Sequence, residues 1–156
     1  MRRWMWLVVQ VALPVSSAAE PMRGGIRAGV TDDPEAIFVG GFGVLENLGG
    51  VPRLALEPGG DVGFGSEGPF DYFTLRFTLN FQYRVPVGSG RSTAFPLAGV
   101  SVYYLNLEDC PDAFDCDDTE IGITFGGGFE LDEQFGIQLW ITADNPDITL
   151  AGTFAF

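Results

Sequence analysis

Residues 73–85 read Phe-Thr-Leu-Arg-Phe-Thr-Leu-Asn-Phe-Gln-Tyr-Arg-Val, apolar at every odd position and polar at every even one. A helix repeats every 3.6 residues and cannot sort this order onto two faces, whereas a strand sends successive side chains to opposite sides. One face is therefore Phe73, Leu75, Phe77, Leu79, Phe81, Tyr83 and Val85, and the other is Thr74, Arg76, Thr78, Asn80, Gln82 and Arg84. The run is longer than a usual strand of ~5–6 residues and matches or slightly passes the ~9–11 that cross a bilayer when tilted by about 45°.

The same two-residue period recurs on both sides of it. Ile26, Ala28 and Val30 alternate with Arg27 and Gly29, and Thr31-Asp32-Asp33-Pro34 turns the chain. Residues 36–45 form a glycine-punctuated strand of unsettled facing, ending at Asn47-Leu48-Gly49-Gly50. Leu54, Leu56, Pro58, Gly60, Val62 and Phe64 then alternate with Arg53, Ala55, Glu57, Gly59, Asp61 and Gly63. Pro58 has no N–H for a ladder, which predicts a bulge or an edge-like gap there. Residues 95–107 are a fifth strand after the long one, again of unsettled facing, and 108–118 a loop. The runs Ile121 to Leu131, Phe135 to Thr142 and Ile148 to Phe156 complete the series, separated by Asp132-Glu133 and Asp144-Asn145-Pro146. Eight strands joined mostly by short connections predict antiparallel neighbours, with both ends of the chain on one side.

The first 19 residues break the pattern. Arg2 and Arg3, an apolar stretch over 4–15 and the small residues Ser17-Ala18-Ala19 read as a secretory signal peptide cleaved before Glu20, leaving residues 20–156 as one domain. The apolar stretch is too short for a spanning helix of about 20 residues. No later segment has the length or period of a transmembrane helix. Removing the leader leaves six Arg against 21 acidic residues, a formal charge of −15 where the whole chain has −13. Such a chain does not bind nucleic acid, which requires basic patches to neutralise phosphate. Histidine is absent, which removes Ser-His, Cys-His and Zn-His chemistry.

Eight regular antiparallel strands predict a closed barrel, since closure removes exposed sheet edges. The fold class is all-β, an eight-stranded antiparallel up-and-down transmembrane β-barrel. The apolar face carries large Phe, Leu and Ile that suit lipid. The other face carries Gly, Thr, Ala and a few charges, which suit a narrow packed lumen better than a solvent surface. A soluble periplasmic ligand-binding barrel would need the opposite orientation.

The chain resembles the small outer-membrane barrels of the OmpA/OmpX type, a porin-like family. The carrying residues are the last strand, 148–156, alternating back from Phe156; Gly126-Gly127-Gly128-Phe129-Glu130 entering the penultimate hairpin; and Asp33-Pro34 through Gly40-Gly41 in the first. The resemblance implies the outer membrane of a Gram-negative envelope, outer-membrane lipid as surroundings, and an assembly signal at Ile148, Leu150, Phe154 and Phe156 read by the barrel-assembly machinery.

The chemical signals are sparse. Gly63-Phe64-Gly65-Ser66-Glu67-Gly68 matches a dinucleotide fingerprint in letters only, because no helix or βαβ unit follows it. Cys110 and Cys116 share one loop of an exported chain and read as a disulfide that stabilises it by roughly 2 kcal/mol. In the same loop Asp112, Asp115, Asp117 and Asp118 form either a solvated acidic surface or a weak site for divalent cations or a surface partner, without the spacing of an EF-hand. The alternation turns Arg27, Arg53, Arg76 and Arg84 inward with Glu57, Asp61, Glu120 and Glu130, four charges of each sign expected to form lumen ion pairs. Those carboxylates leave a carboxylate-only hydrolase conceivable. The expectation is a non-catalytic outer-membrane barrel with a structural or surface-interaction role and no cofactor; the alternatives are a narrow outer-membrane pore and, behind it, a soluble periplasmic ligand-binding barrel.

Overall fold

The two-residue period becomes strand almost throughout. The computed structural model describes residues 22–33, 35–67, 70–88, 90–107, 117–143 and 147–156. Residues 1–19, Cys110, Cys116, Asp112 and Asp115 lie outside these, as does the side chain of Asp117. The strands are β1 (Arg23–Asp32), β2 (Glu35–Val44), β3 (Leu54–Glu67), β4 (Phe70–Tyr83), β5 (Val85–Val87), β6 (Ser92–Leu107), β7 (Asp117–Leu131), β8 (Phe135–Thr142) and β9 (Asp147–Ala155). A single 3₁₀ turn, Leu48–Gly50, lies between β2 and β3.

Nine segments make eight staves. β4 and β5 both pair with β6 in one register, Gln82 opposite Leu97 and Val85 opposite Ala94. Arg84 between them turns its N–H to Arg53 O (2.8 Å). Tyr83 therefore faces Pro96, which has no N–H to return, and the ladder lapses for that pair. Pro58 acts in the same way without a bulge. Leu45 and Leu56 exchange both backbone bonds (2.9 Å each), and two residues along Gly43 meets Pro58, leaving a gap on the β2 side while β3 stays continuous with β4.

Each strand pairs antiparallel with the next, β9 closes on β1, and β4 on β6. Followed once around through the registers, the level of Ile26 returns to β1 displaced by 10 residues. That stagger means tilted strands, usually at ~35–45° to the axis of a barrel. β1 begins and β9 ends at what we call the terminal end, together with the β2–β3 and β7–β8 turns. The opposite, distal end carries the connections β1–β2, β3–β4, β6–β7 and β8–β9.

Exposure decides the facing. Ile26, Ile37, Val39, Phe64, Phe77, Phe81, Ile123, Phe125, Ile137 and Leu139 are exposed, and the polar face of β4 is buried from Thr74 to Arg84. This is the reverse of a soluble ligand-binding barrel. The two unsettled strands also resolve: Ala36, Phe38, Phe42 and Val44 point inward with Ile37 and Val39 outward, while Phe95, Leu97 and Ser101 point inward with Val100 and Val102 outward.

Candidate functional site

The chemistry of the chain is concentrated in the lumen. Arg27 from β1 and Asp61 from β3 meet because the β1–β2 and β2–β3 registers put both beside Gly40, whose missing Cβ leaves room for the Asp61 carboxylate. Arg27 Nε donates to Asp61 Oδ1 (2.7 Å) and Nη2 to Oδ2 (2.9 Å), a bidentate pair. Its Nη2 also donates to Thr78 Oγ1 (2.9 Å) and its Nη1 to Glu57 Oε1 (3.3 Å). Arg76 from β4 donates Nε to the same Asp61 (3.2 Å) and Nη1 to Thr149 Oγ1 (2.9 Å), and pairs with Asp147 at 3.5 Å. Asp147 in turn accepts from the hydroxyls of Thr31 and Thr149.

Glu57 is 0% exposed, and its charge is matched by donors on all sides. Besides Arg27 it accepts from Gln82 Nε2 (2.6 Å), Gln138 Nε2 (2.9 Å) and, at 3.5 Å, Asn80 Nδ2. The chain of contacts continues to the terminal end. Arg84 Nη1 donates to Gln82 Oε1 (3.0 Å), Arg84 Nη2 to Glu130 Oε1 (2.8 Å), and Arg23 Nη1 to that same oxygen (2.9 Å). A continuous polar line thus runs from Asp147 near one mouth to Arg23 at the other.

Apolar groups fill the remaining cross-section. Phe38, Phe95, Leu97, Trp140 and Ala151 form a buried cluster. The Arg76 guanidinium lies 4.7 Å from the centre of the Phe38 ring and 5.2 Å from that of Trp140, and Arg27 lies 5.4 Å from Trp140 on the same measure. Such stacking adds ~0.5–2 kcal/mol per pair and holds each cation where its carboxylates meet it. Among the described residues Trp140 Nε1 and Gln138 Oε1, both buried, find no hydrogen-bond partner.

Six of the eight predicted lumen charges, Arg27, Glu57, Asp61, Arg76, Arg84 and Glu130, are buried and linked to one another. Two are not. Arg53 sits one residue before β3 in a left-handed turn (φ 69°), which takes it out of the strand alternation and leaves it exposed. Glu120 keeps its place on the inward face of β7 but stands above the rim; it is exposed and lines, with Arg76, Tyr103 and Asp147, a distal cavity of about 20 Å³, room for one water. Their places in the balance are taken by Arg23 and Asp147, which sequence reasoning missed because both stand at strand ends where alternation fades. Gln82 and Gln138 were also missed as ligands of Glu57, because nothing in the letters separates a Gln with a charged partner from any other inward polar residue. Asp118 is exposed at the base of the acidic loop, and among the described residues no group of three acidic, cysteine or histidine side chains is placed to hold a metal ion.

A closed barrel with an apolar exterior and an ionic, packed interior is the build of a transmembrane β-barrel, where every backbone group must be satisfied within the sheet. No protein-family model and no curated protein matches the sequence. Among solved structures it is similar to the N-terminal β-barrel domain of Pseudomonas aeruginosa OprF, at TM-score 0.56 and 14% identity over 86% of this chain and 97% of that one. It is also similar to Ail, the attachment invasion locus protein of Yersinia pestis, at TM-score 0.50 and 11% identity over 86% and 96%. At these identities the likeness is one of fold, and that fold is the small outer-membrane barrel of the OmpA/OmpX type.

Proposed function

We propose that the chain is an integral barrel of the bacterial outer membrane, closed to ions by its own side chains, with a structural or surface-interaction role and no catalysis. The observation that carries this reading is the lumen, where Arg27, Glu57, Asp61 and Arg76 are each at most 4% exposed and paired with one another. An eight-stranded barrel is only just wide enough for its side chains, so ions crossing it would have to break these pairs. The same burial opposes hydrolysis, because a carboxylate acting as acid or base must reach a substrate proton, and Glu57 and Asp61 reach only other lumen groups.

The remaining parts of the reading rest on sequence. Residues 1–19 are a leader, so intact mass of the exported protein should begin at Glu20; an unprocessed Met1 contradicts this. Ile148, Leu150, Phe154 and Phe156 address the barrel-assembly machinery, and removing Phe156 should slow assembly more than it weakens the finished barrel. Cys110 and Cys116 close the distal loop as a disulfide, and the surface role belongs to that end. Asp32, Asp33, Glu35, Asp71, Asp118 and Glu120 are exposed there, and the acidic loop with Asp112, Asp115, Asp117 and Asp118 is where a surface partner or weakly held divalent cations would bind.

Two measurements test the proposal together. The protein should be extracted from membranes only by detergent and migrate differently on gels before and after heating, and the purified barrel should give no steady current in planar bilayers. Recovery from the soluble periplasm sinks the membrane reading, and a reproducible single-channel current replaces the closed barrel with a narrow pore.

A further inference from the structure

The terminal end holds a cavity of about 540 Å³ below the polar line, within the ~300–1,000 Å³ of ordinary ligand pockets. Its charged lining is Arg23, Arg53, Arg84, Glu46 and Glu133. With Glu130 beneath them, which pairs with both Arg23 and Arg84, three cations meet three anions, so the site is charge-balanced in a chain whose formal charge is −13. The three guanidinium groups come from β1, the β2–β3 turn and the residue after β4, so the curl of the sheet across these neighbouring strands is what assembles them.

These arginines differ in how far they are satisfied. Arg84 and Arg23 share Glu130 at 2.8 and 2.9 Å, and Arg23 Nη1 also donates to Glu133 O (2.7 Å), which is firm pairing. Both also reach a single oxygen of Glu46, at only 3.5 and 3.4 Å, and Glu46 is 46% exposed. A half-exposed carboxylate at such distances contributes little and is readily displaced. Arg53 has no side-chain partner among the described residues, yet its backbone is fixed by Arg84 N donating to Arg53 O (2.8 Å). Two weakly engaged guanidinium edges and one free guanidinium therefore border the same space.

We propose that this cavity is a binding site for a phosphate-bearing molecule. A phosphate monoester offers up to two charges and three acceptor oxygens, and guanidinium forks match its oxygens in pairs. The cavity is larger than the phosphate alone, and Phe156 on its wall suits an apolar portion of the ligand. The chemistry is shared by a soluble phosphate monoester and by the monoester headgroup of phosphatidic acid. The site does not depend on the lumen being closed, so its test is separate from the conductance test.

Purified protein in nonionic detergent, its fold checked by heat-dependent gel migration, is titrated calorimetrically with glycerol phosphate in one arm and with phosphatidic acid in mixed micelles in the other. Saturable binding at or below ~1 mM in either arm is expected, and the arm that responds identifies the source. Arg53→Gln should weaken it about tenfold, the loss of one charge-assisted contact of ~1.4 kcal/mol. Arg91→Gln, an exposed arginine at the same end that does not line the cavity, should leave it unchanged. Glu46→Gln should tighten it by removing the competitor. Absence of saturable binding in both arms overturns the proposal, as does an equal loss in Arg53→Gln and Arg91→Gln, or weaker binding in Glu46→Gln.

Discussion

At the scale of single residues, adjacent positions of β4 have opposite surroundings. Phe77 is 61% exposed on the outer wall, midway along its strand, whereas Thr78 is buried and accepts from Arg27 Nη2. A cation placed near the bilayer midplane on a lipid-facing position costs roughly 2–4 kcal/mol. Phe77→Arg should therefore lower the unfolding free energy in lipid vesicles by that amount, while Thr78→Ser, which keeps the hydroxyl, should be nearly silent in the same urea titration. Equal losses at the two sites would contradict the facing. Glu57 makes a related point about charge. Buried carboxylates are tolerated where donors surround them, and here one cation and three amides share a single ion.

At the scale of elements, strand spacing is set as much by missing side chains as by present ones. A Cβ on Gly40 would press against the Gly60 carbonyl and lie 2.8 Å from the Asp61 Cα, so β2 would have to move away from β3. On Gly41, which points outward, the nearest atom would be 3.7 Å away. Gly40→Ala should cost ~1–3 kcal/mol of stability and disturb the Arg27–Asp61 pair, while Gly41→Ala should not; the comparison is read from denaturation midpoints. These contrasts also mark how much was legible in the sequence. β4 and β8 alternate large apolar with polar side chains, so their facing can be read directly, and Trp140 falls on the inward side by parity alone. β2 and β6 are apolar on both faces, and there only the registers with neighbouring strands decide that Phe38 and Phe95 go in while Val39 and Val100 go out. The charge balance of the lumen was legible as a number but not in its membership. Arg53 and Glu120 lie at strand ends, where turn geometry and the stagger of the barrel, rather than parity, decide what reaches the interior.

At the scale of the molecule, the question is whether the polar line through the lumen is a latent path or a seal. Arg76 is the place to ask it, since its guanidinium joins Asp61 at mid-lumen to Asp147 near the distal mouth and stacks on Phe38 and Trp140. Arg76→Ala would leave Asp61 still held bidentately by Arg27, but Asp147 would keep only the Thr31 and Thr149 hydroxyls. Removing one partner from a buried ion pair costs about 3–5 kcal/mol, and the surviving Arg27 contact places this case near about 3 kcal/mol. Conductance should nevertheless stay absent. Phe38, Phe95, Leu97 and Trp140 still occupy the cross-section, and an ion entering beside them would exchange its water for an apolar wall. The Arg27–Glu57 and Arg27–Asp61 pairs also remain, so closure is shared among several side chains, and Arg76→Ala separates it from the stability that Arg76 contributes. A lower midpoint in urea with a silent bilayer recording is the expected result; single-channel events in Arg76→Ala that are missing from the parent would show that the remaining pairs and the aromatic cluster do not close the lumen without Arg76.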